Sequence, residues 1–283
     1  MKRSSAAQRS AASSDEEPLT TKAQRRAKSH ASPTKAQHLA ESDLVDAVTC
    51  ASDLQEYLER WRNGEKTRGG GSDKEHTTDM ILVQMMQTLV KAKVAETAQA
   101  EALHSVVICY GVGRCFSASN CGMPKTNSGA TNRAEEVKVR RAKVIQCMLP
   151  MVQHLQQGAR VLERTDDERV VAAVDGFADL IEATFQKRNL SAASKLLCML
   201  GLEVPIYDSL ARKALGLNQP NVKYSEYLAK WTSSYEARRT SYLAAVRSQS
   251  TEEDRIGDLV SAEWVAMRAH DMRLMRLGYT KAK

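Results

Sequence analysis

The chain has 283 residues, of which 42% are hydrophobic and only 5% are aromatic. This balance excludes a wholly disordered protein and favours helices over sheets, because Ala, Leu and Met are good helix formers whereas aromatic residues favour strands. The start is polar and lacks an apolar signal segment, and the most apolar run, Ser105 to Tyr110, is too short to span a bilayer. We therefore expect an intracellular, soluble protein, cytoplasmic or nucleoid-associated, whose six cysteines are mostly reduced.

The net charge of +7 is concentrated at the beginning of the chain. Residues 1–35 contain eight Lys or Arg against three acidic residues. Because residues 1–39 also lack hydrophobic periodicity, the sequence predicts a disordered basic tail, followed by one helical domain over residues 40–283. Such a tail suits a polyanion, most often nucleic acid, although a solvated extension is the simpler explanation of the tail alone.

Apolar residues at spacings of three and four predict the first helices. The first pattern starts after Glu41 and consists of Leu44, Val45, Val48, Leu54, Tyr57, Leu58 and Trp61. A glycine run interrupts it, so we expect a flexible connection over 63–76. A second helix is predicted over 79–104, followed by a flexible loop over 110–133 that is rich in Gly, Ser and Asn.

Helices are also predicted for most of the second half of the chain. The predicted segments are 134–157, 166–187, a short pair joined by a loop near 201–208, 224–246, and 251–277, which Gly278 closes. Tyr224, Tyr227, Trp231 and Tyr235 share one helix face, which is more often core than a base-stacking platform. No segment shows the alternation of a strand, so we predict an all-α array of about eight helices.

Two motifs in the 110–133 stretch suggest ligand sites without the features that would make them specific. "GVGRC", Gly111 to Cys115, can expose backbone N–H groups to a phosphate, but it lacks the strand and the Lys-Ser/Thr of a nucleotide-binding loop. Cys109, Cys115 and Cys121 have a C-x5-C-x5-C spacing that no common zinc module uses, and the apolar run around Cys109 predicts a core position. We therefore favour neither a phosphate site nor a metal site here.

The last predicted helix is dense in functional side chains. Arg268 and Asp271 are three residues apart, so they can form an ion pair on one helix face. Arg273 and Arg276 are poorly spaced to pair with Asp271 and are freer to meet another anion. A surface helix with one or two ion pairs is the simplest interpretation. The alternative is that Arg268, His270, Asp271 and Arg273 contact DNA or line a pocket.

The two short helices place a lysine near one helix start and an aspartate at the next. Ser191 is the predicted N-cap of the first helix, which puts Lys195 near its first turn, where the helix dipole and partial burial favour a neutral, nucleophilic amine. Asp208 follows a proline-containing loop and is the predicted N-cap of a helix over 209–215. An amine and a carboxylate facing one cleft suit glycosidic-bond cleavage through an amine nucleophile. A surface lysine and a capping aspartate explain the same residues without catalysis.

These residues resemble the motif of the helix-hairpin-helix DNA glycosylases. Lys195 matches the lysine of that superfamily, the segment 204–208 ("VPIYD") matches its loop and catalytic aspartate, and 209–215 matches the helix that follows. The segment 192–194 ("AAS") stands where hairpin glycines are usual, and only 13 positions separate Lys195 from Asp208, so the match is to a divergent branch.

The resemblance implies an all-α fold, DNA as partner, base flipping and excision of a base, with or without a lyase step. It implies Lys195 as nucleophile and Asp208 as its electrostatic partner. Because no cysteine cluster lies near the C-terminus, we predict no iron–sulfur centre and no other cofactor. Candidate substrate or DNA contacts are Ser194, Tyr207, Arg212, Arg268, His270, Asp271 and Arg273. We expect an enzyme that excises a damaged or modified base, in repair or in defence against phage with modified DNA. The alternatives are a non-catalytic DNA-binding protein on the same scaffold and a helical protein-interaction module.

Overall fold

The structure is a computed structural model, and the part of the chain that it describes consists of helices, turns and short loops. It describes residues 46–59, 79–91, 96–123, 133–158, 167–249 and 259–280. These residues contain ten α-helices and two short 3₁₀ helices and no strand, so the all-α prediction is confirmed. The predicted basic tail, the connection over 63–76 and the start of the 251–277 helix lie outside the described residues.

The helices are numbered in chain order. Residues 46–59 are helical and are called α1 here. The others are α2 (Asp79–Lys91), α3 (Thr97–Cys109), α4 (Arg133–Gly158), α5 (Asp167–Phe185), α6 (Leu190–Met199), α7 (Ser209–Ala214), α8 (Tyr224–Glu236), α9 (Arg239–Ser248) and α10 (Ala262–Thr280).

Two of the predicted helices are each divided in two. The 79–104 prediction covers α2 and much of α3, because Glu96 begins a new helix as its N-cap and exchanges hydrogen bonds with Gln99 in a capping box. The 224–246 prediction covers α8 and most of α9, which a turn at residues 237–238 separates. The α1 prediction is confirmed for 46–59, but Val48 is wrongly assigned to the apolar stripe, since 64% of it is exposed.

The core is built around α10, which packs against α7 and α9. The stripe of Tyr224, Tyr227, Trp231 and Tyr235 on α8 is fully buried, so its interpretation as core is confirmed. Helix α5 packs against α4, α6 and α8. Gly278 was expected to end the last helix, but α10 continues through it to Thr280. Because α10 is packed in this way, its polar side chains Arg268, His270 and Asp271 are buried.

The segment between α3 and α4 is described as far as residue 123. It forms 3₁₀ helices at Gly113–Cys115 and Ala118–Cys121, and the Phe116 ring packs edge-on against Phe185 at 5.0 Å. Cys109 is exposed, so its assignment to the core is wrong, whereas Cys115 is buried. Among the described residues no group of three or more His, Cys, Asp or Glu side chains is arranged to hold a metal ion.

None of the helices in the described part of the chain has both the length and the apolar character that a transmembrane span requires.

Candidate active site

Lys195 lies in the second turn of α6. The helix is capped by Asn189, whose Oδ1 accepts a hydrogen bond from the backbone N–H of Ala192 at 2.9 Å. The predicted cap, Ser191, is already inside the helix, so that prediction is wrong by two residues. Asn189 takes the role because its amide oxygen satisfies an otherwise unpaired N–H at the helix start. Lys195 is consequently two residues, or about half a turn, further along the helix than expected.

Asp208 is the N-cap of α7, as the sequence predicts. Its Oδ1 accepts a hydrogen bond from the backbone N–H of Leu210 at 2.8 Å. Its second oxygen, Oδ2, lies 3.9 Å from the Nζ of Lys195. The two side chains are 16% and 19% exposed, respectively, so the pair is sheltered but remains open to solvent. The amine and the carboxylate that the sequence nominated therefore face each other.

Side chains from the core hold the loop at residues 202–208 that leads to Asp208. The hydroxyl of Tyr224 donates to the carbonyl of Pro205 at 2.8 Å, and the hydroxyl of Tyr227 donates to the carbonyl of Ile206 at 2.6 Å. Both tyrosines are fully buried. Because buried carbonyls are costly to leave unpaired, these two hydrogen bonds restrict the loop to one conformation.

Ser194, Tyr207 and Arg212 also lie at this loop. The Oγ of the buried Ser194 accepts the backbone N–H of Tyr207 at 2.9 Å, which ties the loop to α6. The Tyr207 hydroxyl donates to the carbonyl of Val222 at 2.6 Å, and the guanidinium of Arg212 lies 5.0 Å from the centre of the Tyr207 ring. Ser194 therefore has a structural contact, whereas Tyr207 and Arg212 remain partly exposed beside Asp208.

Tyr110 is a component of the site that the sequence did not reveal. The Nζ of Lys195 lies 5.6 Å from the centre of the Tyr110 ring, within the range of a cation–π interaction. The Tyr110 hydroxyl accepts a hydrogen bond from the Nη2 of Arg268 at 3.0 Å. The only signal for Tyr110 in the sequence is that it begins the irregular stretch 110–133. Its ring covers one side of the lysine.

Arg268 and Asp271 are buried and bonded to each other. Their side chains are 8% and 3% exposed, and the Nη1 of Arg268 donates to the Oδ2 of Asp271 at 3.1 Å. The predicted pairing is confirmed, but the interpretation of α10 as a surface helix is wrong at these positions. The Nη2 of Arg268 also contacts Asp79 of α2 at 3.2 Å. The Asp271 carboxylate accepts the indole N–H of Trp231 at 2.8 Å and the backbone N–H of Ile206 at 3.3 Å.

Burial raises the pKa of Asp271 to about 6. The charge of Arg268 and the hydrogen bonds from Trp231 and Ile206 oppose this effect, because they stabilise the carboxylate. The carboxylate thus remains ionised near neutral pH although no part of it is well hydrated. This buried negative charge is stabilised by hydrogen bonds from the Trp231 indole, the Ile206 N–H and the Arg268 guanidinium.

His270 and Arg273 lie on other sides of α10 and contact other helices. The Nη1 of Arg273 donates to the Oδ2 of Asp53 in α1 at 3.1 Å. His270 is fully buried, and neither of its ring nitrogens has a hydrogen-bond partner among the described residues. The rings that surround it at centroid distances of 5.2, 5.5 and 5.8 Å are those of Trp231, Tyr235 and Tyr242. Neither residue reaches the Lys195–Asp208 pair by any of these contacts.

Comparisons with models of protein families, with curated proteins and with solved structures found no significant match to this chain. The resemblance to the helix-hairpin-helix glycosylases therefore rests on the sequence motif around Lys195 and Asp208.

Proposed function

We propose that this protein is a DNA glycosylase in which Lys195 is the nucleophile and Asp208 stabilises positive charge at the reacting sugar. The observation that supports this is the distance of 3.9 Å between the Lys195 Nζ and the Asp208 Oδ2. Both side chains are partly accessible, and the two helices that carry them are joined by a loop that buried tyrosines hold in place. A target nucleotide has to leave the DNA stack to reach such a pair.

The reaction requires the neutral amine, which forms when the ammonium of Lys195 gives a proton to water. The Nζ lone pair then forms a bond to the sugar C1′ while the bond from C1′ to the base breaks. The electron pair of that bond leaves with the base. Nζ now carries two protons and a positive charge, and it gives one of these protons through water to the departing base. The Asp208 carboxylate stabilises the oxocarbenium-like charge that develops on the sugar. Opening of the sugar ring transfers the remaining Nζ proton to the ring oxygen and leaves an imine between C1′ and Lys195.

Reductive trapping tests this proposal. The protein is mixed with a labelled duplex that contains one abasic site, and in parallel with duplexes that carry oxidised, alkylated or hypermodified bases, and sodium borohydride is then added. Hydride reduces the imine to a secondary amine, which makes the adduct permanent. We expect an adduct with the wild-type protein and none with Lys195→Ala. Because abasic sites react slowly with many amines, Lys230→Ala is the control: it removes an exposed lysine on α8 and must leave the adduct unchanged.

The same samples distinguish the alternatives. An adduct that persists in Lys195→Ala would contradict Lys195 as nucleophile. If no adduct forms but a salt-dependent complex with DNA does, and no free base is released, the protein is a DNA-binding protein without this activity. If no complex forms even at low salt, the helical protein-interaction module is the better explanation.

A further inference from the structure

Two contacts connect the buried ion pair on α10 to the two halves of the candidate active site. Asp271 bonds to the backbone N–H of Ile206 at 3.3 Å, two residues before Asp208. Arg268 bonds to the hydroxyl of Tyr110 at 3.0 Å, and the Tyr110 ring lies 5.6 Å from the Lys195 Nζ. The amine of the site is thus connected to Arg268 through Tyr110, and the carboxylate is connected to Asp271 through the short segment from Ile206 to Asp208.

The first contact is one of those that hold the loop before Asp208 in place. The peptide N–H of Ile206 is inside the protein, and the Asp271 carboxylate is the acceptor that pairs with it. The carbonyl of the same residue accepts the Tyr227 hydroxyl at 2.6 Å, so both sides of the Ile206 residue are held by α8 and α10. Any change in the position of the Asp271 carboxylate therefore moves the loop that ends in Asp208.

The second contact determines where the Tyr110 ring lies. Tyr110 is the C-cap of α3, where its backbone N–H bonds to the carbonyl of Val106 at 2.9 Å, and its side chain packs against the core. The bond from Arg268 to its hydroxyl then fixes the outer end of the ring. Arg268 has little freedom of its own, because Asp271 and Asp79 hold its two terminal nitrogens at 3.1 and 3.2 Å. Because the guanidinium is planar and rigid, the position of Arg268 on α10 determines where the Tyr110 hydroxyl lies.

We propose that Arg268 and Asp271 act together as a positioning unit that aligns Lys195 with Asp208, through Tyr110 on one side and through the Ile206 peptide on the other. This inference rests on the proposed function for its catalytic meaning. Neither side chain touches the substrate in this scheme. A buried, hydrogen-bonded pair serves this purpose because its members have few alternative partners and therefore few alternative positions.

The test uses three variants of the whole protein. Asp271→Asn keeps the shape but replaces one acceptor by a donor, so it loses the bond to either the Ile206 N–H or the Trp231 indole. Tyr110→Phe keeps the ring but removes the hydroxyl that Arg268 binds. Asp53→Asn is the matched control, because Asp53 is an equally buried carboxylate that pairs with α10 through Arg273 and Arg276 rather than through Arg268.

Two readouts are made on each folded variant. The first is the rate of the borohydride-trapped adduct, which we expect to fall about tenfold to a hundredfold in Asp271→Asn and less in Tyr110→Phe, as a misplacement of about 1 Å does in other enzymes. The second is the NMR resonance of the Lys195 ε-methylene in protein labelled with ¹³C-lysine, assigned with Lys195→Arg. The ring current of Tyr110 acts on this group, and Tyr110→Leu provides the value without the ring.

We expect Asp271→Asn and Tyr110→Phe to shift the Lys195 resonance towards its value in Tyr110→Leu, and Asp53→Asn to leave both readouts as in the wild type. The proposal is overturned if the two site-linked variants fold and leave both readouts unchanged, or if Asp53→Asn alters them as much. If Asp271→Asn does not fold, Tyr110→Phe alone decides. If the wild type yields no adduct, the proposed function fails, and the NMR shift still shows whether the pair positions Lys195.

Discussion

Gly278 of α10 lies against the backbone of Leu210 in α7, so closely that a Cβ atom at position 278 would overlap the Leu210 carbonyl group. Leu210 is also the residue whose N–H donates to Asp208. The approach of the two helices therefore determines both the packing of the core and the position of the proposed catalytic carboxylate. A glycine is required here because of space rather than because of an unusual backbone angle.

We predict that Gly278→Ala destabilises the protein by about 1–3 kcal/mol, the usual cost of overpacking where backbone has to move. Urea unfolding measures the change. Gly176→Ala is the matched control: Gly176 lies in α5 with no atom within 4 Å of a Cβ, so alanine should stabilise the protein by about 0.5–1 kcal/mol. Equal effects of the two substitutions would show that α7 and α10 are not in such close contact.

Asp208 has two roles that one substitution separates. Asparagine caps a helix as well as aspartate does, so Asp208→Asn should keep the bond to the Leu210 N–H. The lost ion pair with Lys195 is partly exposed and contributes about 0–1 kcal/mol, so we predict a change of that size in the free energy of unfolding. Adduct formation should fall at least about a hundredfold, because the negative charge beside the sugar is gone.

Asp208→Ala is the companion variant. It removes the cap as well as the charge, so we expect it to lose about 1 kcal/mol more stability than Asp208→Asn at a similar loss of activity. Trapping by Asp208→Asn at the wild-type rate would show that the aspartate only caps α7.

The pairing of Lys195 with Asp208 and the cap of α7 were predictable because they depend on residues close together in the sequence. The same holds for α4 and α5, whose predicted bounds differ from the observed ones by one or two residues. The i, i+3 spacing also predicted the ion pair between Arg268 and Asp271. Local spacing and capping chemistry are readable without knowledge of the tertiary structure.

The burial of that ion pair was not predictable, because its partners come from distant parts of the chain. Asp79 precedes Arg268 by 189 positions, and Tyr110 precedes it by 158. A helix with many charged residues has the sequence pattern of a surface helix. It can be buried here because Asp79 and Tyr110 form hydrogen bonds with the Arg268 guanidinium. Tyr110 was missed for the same reason, since nothing local relates it to Lys195.

The buried tyrosine hydroxyls that hold the loop before Asp208 give a third prediction. Tyr227→Phe removes the donor to the Ile206 carbonyl and leaves a buried acceptor unpaired. We expect a loss of about 1–3 kcal/mol in the free energy of unfolding and a slower adduct formation, because the loop gains alternative positions. Tyr279→Phe serves as the control, since Tyr279 is 55% exposed and should leave both quantities unchanged. A Tyr227→Phe variant with wild-type stability would mean that the loop is held by its other contacts alone.

His270 should make the protein sensitive to acid. Burial among aromatic rings, with Arg238 and Arg273 nearby, lowers the pKa of this histidine from 6.5 to about 3. The unfolded chain therefore binds a proton between these two pH values and the folded protein does not, so stability falls as the pH drops below about 6.5. From the pKa values of His270 in the unfolded chain and in the folded protein, we expect this residue alone to lower the free energy of unfolding by about 2 kcal/mol at pH 5 relative to pH 7.

His270→Phe removes the titrating group and keeps a ring of similar size between Trp231, Tyr235 and Tyr242. The raised pKa of Asp271 acts in the opposite direction, because the folded protein then binds the proton more tightly than the unfolded chain, so the wild type alone shows only part of the effect. The measurement is therefore the difference in unfolding free energy between His270→Phe and the wild type, from urea titrations at pH 7 and pH 5. We expect this difference to shift by about 2 kcal/mol in favour of the variant at pH 5. A difference that is the same at both pH values would mean that His270 is protonated, or can become so, inside the folded protein.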